Sequence, residues 1–212
     1  MSSHRAIVAL TDAEIADFLP APLWAELEAA LPGYQRVVPP TDPADWQRLW
    51  QGSPAGILVS AWQTPPLPAN LPVGDTGSLR YVCHLAGTVR KLIPRELIAR
   101  GLLVTNWGDS ISGTVAECAL MLTLMALRRA SYWALAMHRE GAWKNPSTFT
   151  QSLLDRRVGL HGFGAISQRL VPMLRPFTDQ IQAYSPRVPD ETFARLDVTR
   201  VNSLEALFAT SD

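Results

Sequence analysis

Two glycines, Gly162 and Gly164, stand in a pattern of strand, turn and helix that could hold a phosphate group. Residues 157–161 are predicted to form a buried strand, and a helical run extends over 168–174. In a dinucleotide-binding turn the first glycine permits the tight bend, the second lets the backbone approach a pyrophosphate, and the helix N-terminus supplies amide donors. Ser167 takes the place of the third glycine and is small enough for close packing. An ordinary β–α turn without a ligand is the alternative, and the order of the flanking elements favours dinucleotide binding.

The residues after the next predicted strand, 180–184, bear on the choice of dinucleotide. In this arrangement an acidic residue usually follows the second strand and binds the ribose 2′-hydroxyl of NAD. Here the position is taken by Ser185, with Arg187 two residues further on. A serine removes the charge that repels a 2′-phosphate, and an arginine supplies a cation that binds one. The sequence therefore predicts NAD or NADP as the cofactor and favours NADP.

The elements that must position this turn alternate along the chain between short β-type runs and helical patterns. This alternation is typical of a parallel α/β architecture. The helical patterns begin at or near prolines, which suit a first helical turn, and cover Pro22–Ala30, Pro43–Trp50 and Pro94–Ala99. Strands are predicted at Ile7–Leu10, Arg36–Val38, Gly56–Ser60, Arg80–His84 and Leu102–Thr105. The proline-rich segment 63–70 is expected to be a surface excursion between strands.

A long apolar helix is predicted from Thr114 to Leu127. Thr114 and Glu117 fit a capping box, and apolar residues lie on almost every face of the helix. We therefore expect the helix to be buried on both sides, to join two domains and to contribute to a homodimer. The segment 143–154 is expected to be a loop, and a second domain opens at Arg157.

Composition narrows the class of protein. The 212 residues include 19 basic and 19 acidic side chains, a formal net charge of +0, so a basic surface for nucleic acid or an anionic membrane is not expected. The N-terminal apolar run is too short for a signal peptide, and no stretch is long enough to cross a bilayer. The two cysteines, Cys83 and Cys118, have neither disulfide nor metal-ligand spacing, and we expect both to be reduced core residues of a cytoplasmic protein.

Several motifs in this order resemble the D-isomer-specific 2-hydroxyacid dehydrogenases, which include phosphoglycerate dehydrogenase and glyoxylate/hydroxypyruvate reductases. The family interconverts 2-keto acids and D-2-hydroxy acids with a nicotinamide cofactor. The resemblance implies two doubly wound parallel-sheet domains, with a flavodoxin-like substrate lobe over 1–106. Residues 107–212 would be the interdomain helix and the first half of a Rossmann nucleotide-binding domain. The motifs are Gly101–Asn106, Val115–Glu117, Gly162–Ile166, Tyr184–Pro186 and Leu204–Leu207.

The resemblance also assigns site residues. The pyrophosphate turn is matched by Gly162, Phe163, Gly164, Ala165 and Ile166, the adenosine ribose position by Ser185 and Arg187, and the loop near the nicotinamide by Thr114. The loop whose backbone contacts the substrate carboxylate is matched by Ala86 and Gly87, with Ser60 on the neighbouring strand end. Family members usually carry an aspartate shortly after this glycine, whereas the chain has Thr88-Val89-Arg90.

The family's arginine, glutamate and histidine, which bind the substrate carboxylate and exchange the proton, correspond to positions after Asp212. No catalytic residue is therefore assigned. We expect a C-terminally truncated dehydrogenase that is inactive as a 212-residue chain, and the alternative is a noncatalytic nucleotide-binding regulator or interaction protein. His161 has no carboxylate partner in the local sequence. His161 is interpreted as a strand residue, whereas His84 is a candidate polar contact beside the substrate loop.

Overall fold

The computed structural model describes residues 5–52, 55–74, 78–143 and 148–212. The chain divides into two compact units, Met1–Gly108 and Asp109–Asp212. In the described part, no helix is both long and apolar enough to cross a membrane.

The first unit is a five-stranded parallel sheet with helices on both faces. Its strands lie in the order β2-β1-β3-β4-β5, which is the doubly wound order of flavodoxin-like folds. In chain order its elements are β1 (Ala6–Ala9), α1 (Asp12–Phe18), α2 (Ala21–Ala30), β2 (Gln35–Val37), α3 (Pro43–Gly52), β3 (Ile57–Ser60), β4 (Tyr81–His84), α4 (Arg95–Ala99) and β5 (Leu103–Thr105). The predicted α/β class and the flavodoxin-like lobe are confirmed.

Burial explains why these strands are the easiest elements to predict. Successive side chains of a strand point to opposite faces, and both faces of this sheet are covered. One core, which includes Ile7 and Leu58, lies on one face, and a second, which includes Val8 and Val59, lies on the other. Continuous apolar runs are therefore required, and the sequence has them.

The second unit contains a three-stranded parallel sheet in the order β6-β7-β8. Its core forms where α5 and α7 pack together over the sheet, around the buried Phe163, Val171 and Ile181. Its elements are α5 (Ser112–Leu127), α6 (Ala130–Glu140), β6 (Val158–His161), α7 (Ala165–Leu174), β7 (Ile181–Tyr184), α8 (Asp190–Arg195), β8 (Thr199–Arg200) and α9 (Leu204–Thr210). The alternation of strand and helix from β6 onward is the predicted Rossmann-type arrangement.

The prediction for the start of α5 is wrong. The helix begins at Ser112, and its N-cap residue is Ile111, with no side-chain capping bond. Thr114 therefore lies inside the first turn, where its hydroxyl cannot cap the helix. The capping-box pattern at Thr114 and Glu117 arises by chance within a helix that starts two residues earlier.

Within the single chain, this helix is buried on one side only. Ala116 is fully buried on the side that faces the core, whereas Met121 is 49% and Leu122 is 56% exposed. Cys118 is exposed too, so it is not the expected core residue, and Cys83 is half-buried; both are free. Within this unit α5 has one buried face and one apolar face that is open to solvent.

Three helices and one loop differ from expectation. The helices α1, α6 and α8 were not predicted, because their apolar residues are mixed with polar ones and are not strongly periodic. The segment 63–70 is irregular as predicted, but it is not an excursion: Leu67 is buried and its N–H donates to Leu92 O at 2.9 Å, while Trp46 Nε1 donates to Pro65 O. Of the predicted loop 143–154, residues 144–147 lie outside the described residues, and the rest is irregular with Leu153 buried.

Candidate functional site

The glycine turn follows β6 directly. Gly162 has φ +88°, a left-handed backbone conformation that residues other than glycine rarely adopt. Its N–H donates to Tyr184 O at 2.8 Å. Phe163 then turns inward, is fully buried and packs against Phe193 with 4.6 Å between the ring centroids. This inward anchor fixes the turn at the carboxyl end of the sheet, the edge at which parallel α/β folds bind ligands.

The outer side of the turn is open and rich in donors. A Cβ atom added at Gly162 or at Gly164 would meet no heavy atom within 4 Å. Within the described residues, the backbone N–H groups of Gly164, Ala165 and Ile166 have no acceptor, because they precede the first hydrogen bond of α7. Gln168 Nε2 donates to Phe163 O at 2.9 Å. This hydrogen bond offsets the partial negative charge of a carbonyl oxygen that would otherwise repel an anion. The turn therefore fits a pyrophosphate group.

The residue after β7 contacts one arginine, and a second arginine lies two residues further along the chain. Ser185 is buried, and its carbonyl accepts from Arg200 Nη2 at 3.2 Å. Arg200 also forms an ion pair with Asp190 and lies 5.1 Å from the centroid of the Phe193 ring. Arg187 is exposed, and no described residue forms an ion pair with it. The nearby carboxylate is thus neutralised, and one guanidinium group remains available at the predicted ribose position.

Sequence reasoning did not identify the role of Arg200. Its position beside Ser185 follows from the register of the sheet, in which Ala183 of β7 is opposite Arg200 of β8.

In the first unit, Ser60 and His84 end adjacent parallel strands and are register partners. Both are buried, and Ser60 Oγ lies 3.0 Å from His84 Nδ1. Burial lowers the pKa of His84 below the ordinary value of 6.5, and the negative charge of Glu14 opposes this shift without cancelling it. The Glu14 carboxylate is itself buried and accepts from the N–H groups of Thr11 and Gln63.

The loop after β4 is fixed through its carbonyl groups. Ala86 O accepts from Trp107 N at 3.1 Å, and Gly87 O accepts from the side-chain amide of Asn106. No described residue accepts from the N–H groups of Ala86, Gly87 or Thr88. A loop with bound carbonyls and free N–H groups suits a carboxylate.

The predicted site residues therefore fall into two groups and one outlier. Ser60, Ala86 and Gly87 lie together at the carboxyl edge of the first sheet. The turn residues 162–166, with Ser185 and Arg187, lie at the carboxyl edge of the second sheet. Thr114 is exposed in the first turn of α5, and no described contact joins it to either group.

Comparisons with known proteins agree with this geometry. The family described as "D-isomer specific 2-hydroxyacid dehydrogenase, NAD binding domain" matches residues 120–212. D-3-phosphoglycerate dehydrogenase of Mycobacterium bovis is 35% identical over 114 residues, which are 54% of this chain and 21% of that protein. The 4-methyl-2-oxopentanoate reductase A of Aspergillus oryzae is 27% identical over 150 residues, which are 70% of this chain and 44% of that one. The aligned regions span less than half the length of these two relatives.

Solved structures show the same fold over the whole chain. The glyoxylate reductase from Paecilomyes thermophila has a TM-score of 0.76 at 19% identity and covers 100% of this chain and 64% of its own. The apo form of Rhodotorula graminis D-mandelate dehydrogenase has a TM-score of 0.69 at 20% identity and covers 99% and 64%. At these identities the likeness establishes the fold.

Proposed function

We propose that this chain belongs to the D-isomer specific 2-hydroxyacid dehydrogenase family, and that it binds a nicotinamide dinucleotide at 162–166 and a small 2-keto or 2-hydroxy acid at Ala86 and Gly87. The reaction it serves is reduction of a 2-keto acid to a D-2-hydroxy acid, or the reverse oxidation. In this assignment 1–106 is the substrate lobe, and 107–212 contains the helix between the domains and part of the nucleotide-binding domain.

One observation carries the proposal: the glycine turn is open on its outer side, with three unpaired N–H groups at the start of α7. The partial positive charge of a helix N-terminus and the free amide donors favour a phosphate. The absence of Cβ atoms at Gly162 and Gly164 leaves room for the backbone to reach it. Buried Phe163 anchors the turn in the core, so that less conformational entropy is lost when a ligand binds.

The nicotinamide, when bound, supplies or accepts the hydride at C2 of the substrate, while a proton is taken up at or released from the C2 oxygen. The chain's own contribution is to bind and orient both molecules. The free N–H groups of 86–88 would hold the substrate carboxylate, and Ser60 would support the neighbouring strand end. Thr114 is proposed to lie near the nicotinamide.

No residue of this chain is proposed to transfer the proton. Among the described residues no imidazole lies within ion-pair or hydrogen-bond distance of a carboxylate: His84 bonds to Ser60, and His161 stacks on Tyr184. This observation supports the second candidate, a noncatalytic nucleotide-binding regulator or interaction protein with the dehydrogenase fold. Turnover of glyoxylate or hydroxypyruvate with NADPH by the 212-residue chain would refute the inactivity that we propose for it.

NADP is proposed as the preferred dinucleotide. Ser185 carries no charge where an NAD-specific site has a carboxylate, and Arg187 is free to bind a 2′-phosphate. Asp190, the nearby carboxylate, is held by Arg200 and is less able to repel that phosphate.

A second copy of this chain is proposed to cover the apolar face of α5 and α6. Seven large hydrophobic residues on these helices are at least 38% exposed, which is unusual for a surface that faces only water. They are Val115, Met121, Leu122, Met125, Tyr132, Leu135 and Met137.

Titration of the intact chain with NADPH, followed by tryptophan fluorescence or calorimetry, tests the binding proposal. We expect saturable binding of one dinucleotide per chain. Absence of binding of both NADPH and NADH by a folded sample would overturn the assignment of 162–166.

A further inference from the structure

His84 is the one buried histidine among the described residues, and the proposed reaction does not use it. It is 5% exposed, it ends β4, and two residues separate it from Gly87 of the carboxylate loop. Burial of this histidine needs a structural or functional explanation, because burying an imidazole costs free energy unless its nitrogens form hydrogen bonds.

Hydrogen bonding by Ser60 fixes the tautomer of His84. Ser60 is 0% exposed, and among the described residues the only partner of its hydroxyl group is His84 Nδ1. A hydroxyl proton that pointed elsewhere would be buried without an acceptor, which is unfavourable. The Ser60 hydroxyl therefore donates, Nδ1 accepts, and the proton of the neutral ring must be on Nε2.

The Nε2–H group has no acceptor among the described residues. In the described part, every fully inaccessible side-chain nitrogen or oxygen has a hydrogen-bond partner. Since Nε2 has none, it must lie in the small accessible part of the ring. The carboxyl end of β4 thus carries an oriented, uncharged donor, and the loop with the free N–H groups of 86–88 begins two residues later. The lowered pKa of His84 keeps this donor uncharged at neutral pH.

We propose that His84 Nε2–H, oriented by Ser60, binds an uncharged oxygen on C3 of a small 2-keto acid whose carboxylate lies on the 86–88 loop. This inference rests on the proposed function and names the substrate class, a 3-hydroxy-2-keto acid. An uncharged donor matches a hydroxyl oxygen, whereas a phosphate at C3 calls for a cation. A site built to hydrogen-bond a hydroxyl discriminates strongly against the analogue that lacks it.

Hydroxypyruvate and pyruvate are the matched probes, because they differ only in the C3 hydroxyl group. With the intact chain and NADPH present, we expect hydroxypyruvate to bind about tenfold more tightly than pyruvate, the effect of one well-placed hydrogen bond. In His84→Phe this ratio should fall to about one, with pyruvate affinity retained. His84→Gln keeps a side-chain N–H donor and should restore most of the preference.

Proton-detected ¹⁵N spectra of the imidazole provide a test that does not require turnover. We expect the Nε2–H tautomer in the free protein, loss of that single tautomer in Ser60→Ala, and a change in the Nε2 shift on adding hydroxypyruvate but not pyruvate. An Nδ1–H tautomer, an unchanged Nε2 shift with hydroxypyruvate, or equal affinity for the two acids would each overturn the inference. If NADPH still binds in those cases, the dinucleotide part of the proposed function stands; if it does not, that proposal fails separately.

Discussion

Gly159 in β6 lies directly beneath Ser211: a Cβ atom added at Gly159 would be 2.1 Å from Ser211 Oγ and 3.0 Å from its Cβ. Ser211 cannot easily move, because its hydroxyl donates to Leu207 O at 2.6 Å and accepts from Gln182 Nε2 at 2.9 Å. The absence of a side chain at 159 is therefore what lets the C-terminal end of α9 approach the sheet.

Gly159→Ala is expected to lower the free energy of unfolding by about 1–3 kcal/mol, the usual cost of overpacking a well-packed site. Urea unfolding followed by circular dichroism measures the change. Gly113→Ala is the matched control: no heavy atom lies within 4 Å of its added Cβ, and it is in α5, where alanine is the better helix former. Equal effects of the two substitutions would contradict the close approach of Ser211 to Gly159.

Gly164→Val should separate binding from folding. The added side chain enters open space, so the thermal midpoint without ligand should fall only modestly, through the loss of a favoured N-cap residue of α7. The same space is where a pyrophosphate would approach the turn, so NADPH affinity should fall by about tenfold or more. Calorimetric titration of both proteins measures this. An unaltered affinity would place the dinucleotide away from the turn.

Ser185→Asp should reverse the preference between dinucleotides. In the parent chain we expect NADPH to bind more tightly than NADH, because Arg187 is available for the 2′-phosphate. The aspartate would repel that phosphate and accept from the ribose hydroxyl of NADH. Arg187→Ala is the companion variant and should weaken NADPH binding while leaving NADH binding nearly unchanged. A parent chain with equal affinity for both dinucleotides would refute the NADP preference.

His84 should make stability depend on pH. Its pKa is lower in the folded chain than the ordinary 6.5, chiefly through burial and against the opposing effect of Glu14. The unfolded chain therefore binds more protons as the pH falls through 6.5, and the free energy of unfolding decreases there until the folded pKa is reached. Urea unfolding between neutral and mildly acidic pH should show a smaller decrease for His84→Gln. Identical pH profiles would show that His84 is not responsible.

The sequence was most informative where a residue's environment depends on its own neighbours along the chain. Strands β1, β3 and β4 were located to within one residue, because a sheet covered on both faces needs continuous apolar runs. The turn at Gly162 was recognisable because its glycine supplies a positive φ that few other residues tolerate.

Features that depend on contacts across the fold were missed. The pairing of Ser60 with His84 and the contact of Arg200 with Ser185 both join adjacent strands, and neither follows from local spacing. The start of α5 was misplaced because Ile111 is an N-cap residue without a capping side chain.

The exposed apolar face of α5 and α6 leads to the last prediction. A stable dimer buries about 800 Å² on each partner, and exposed apolar side chains such as Met121, Leu122 and Leu135 are suited to the apolar centre of such an interface. Light scattering should give twice the mass of one chain. Leu122→Glu should produce a folded monomer, because it places a charge at the centre of the contact, where it would be desolvated without a partner. Arg139→Glu at the polar end of α6 is the control and should remain dimeric. A parent chain that is monomeric and well folded at high concentration would refute the second copy as the occupant of this face.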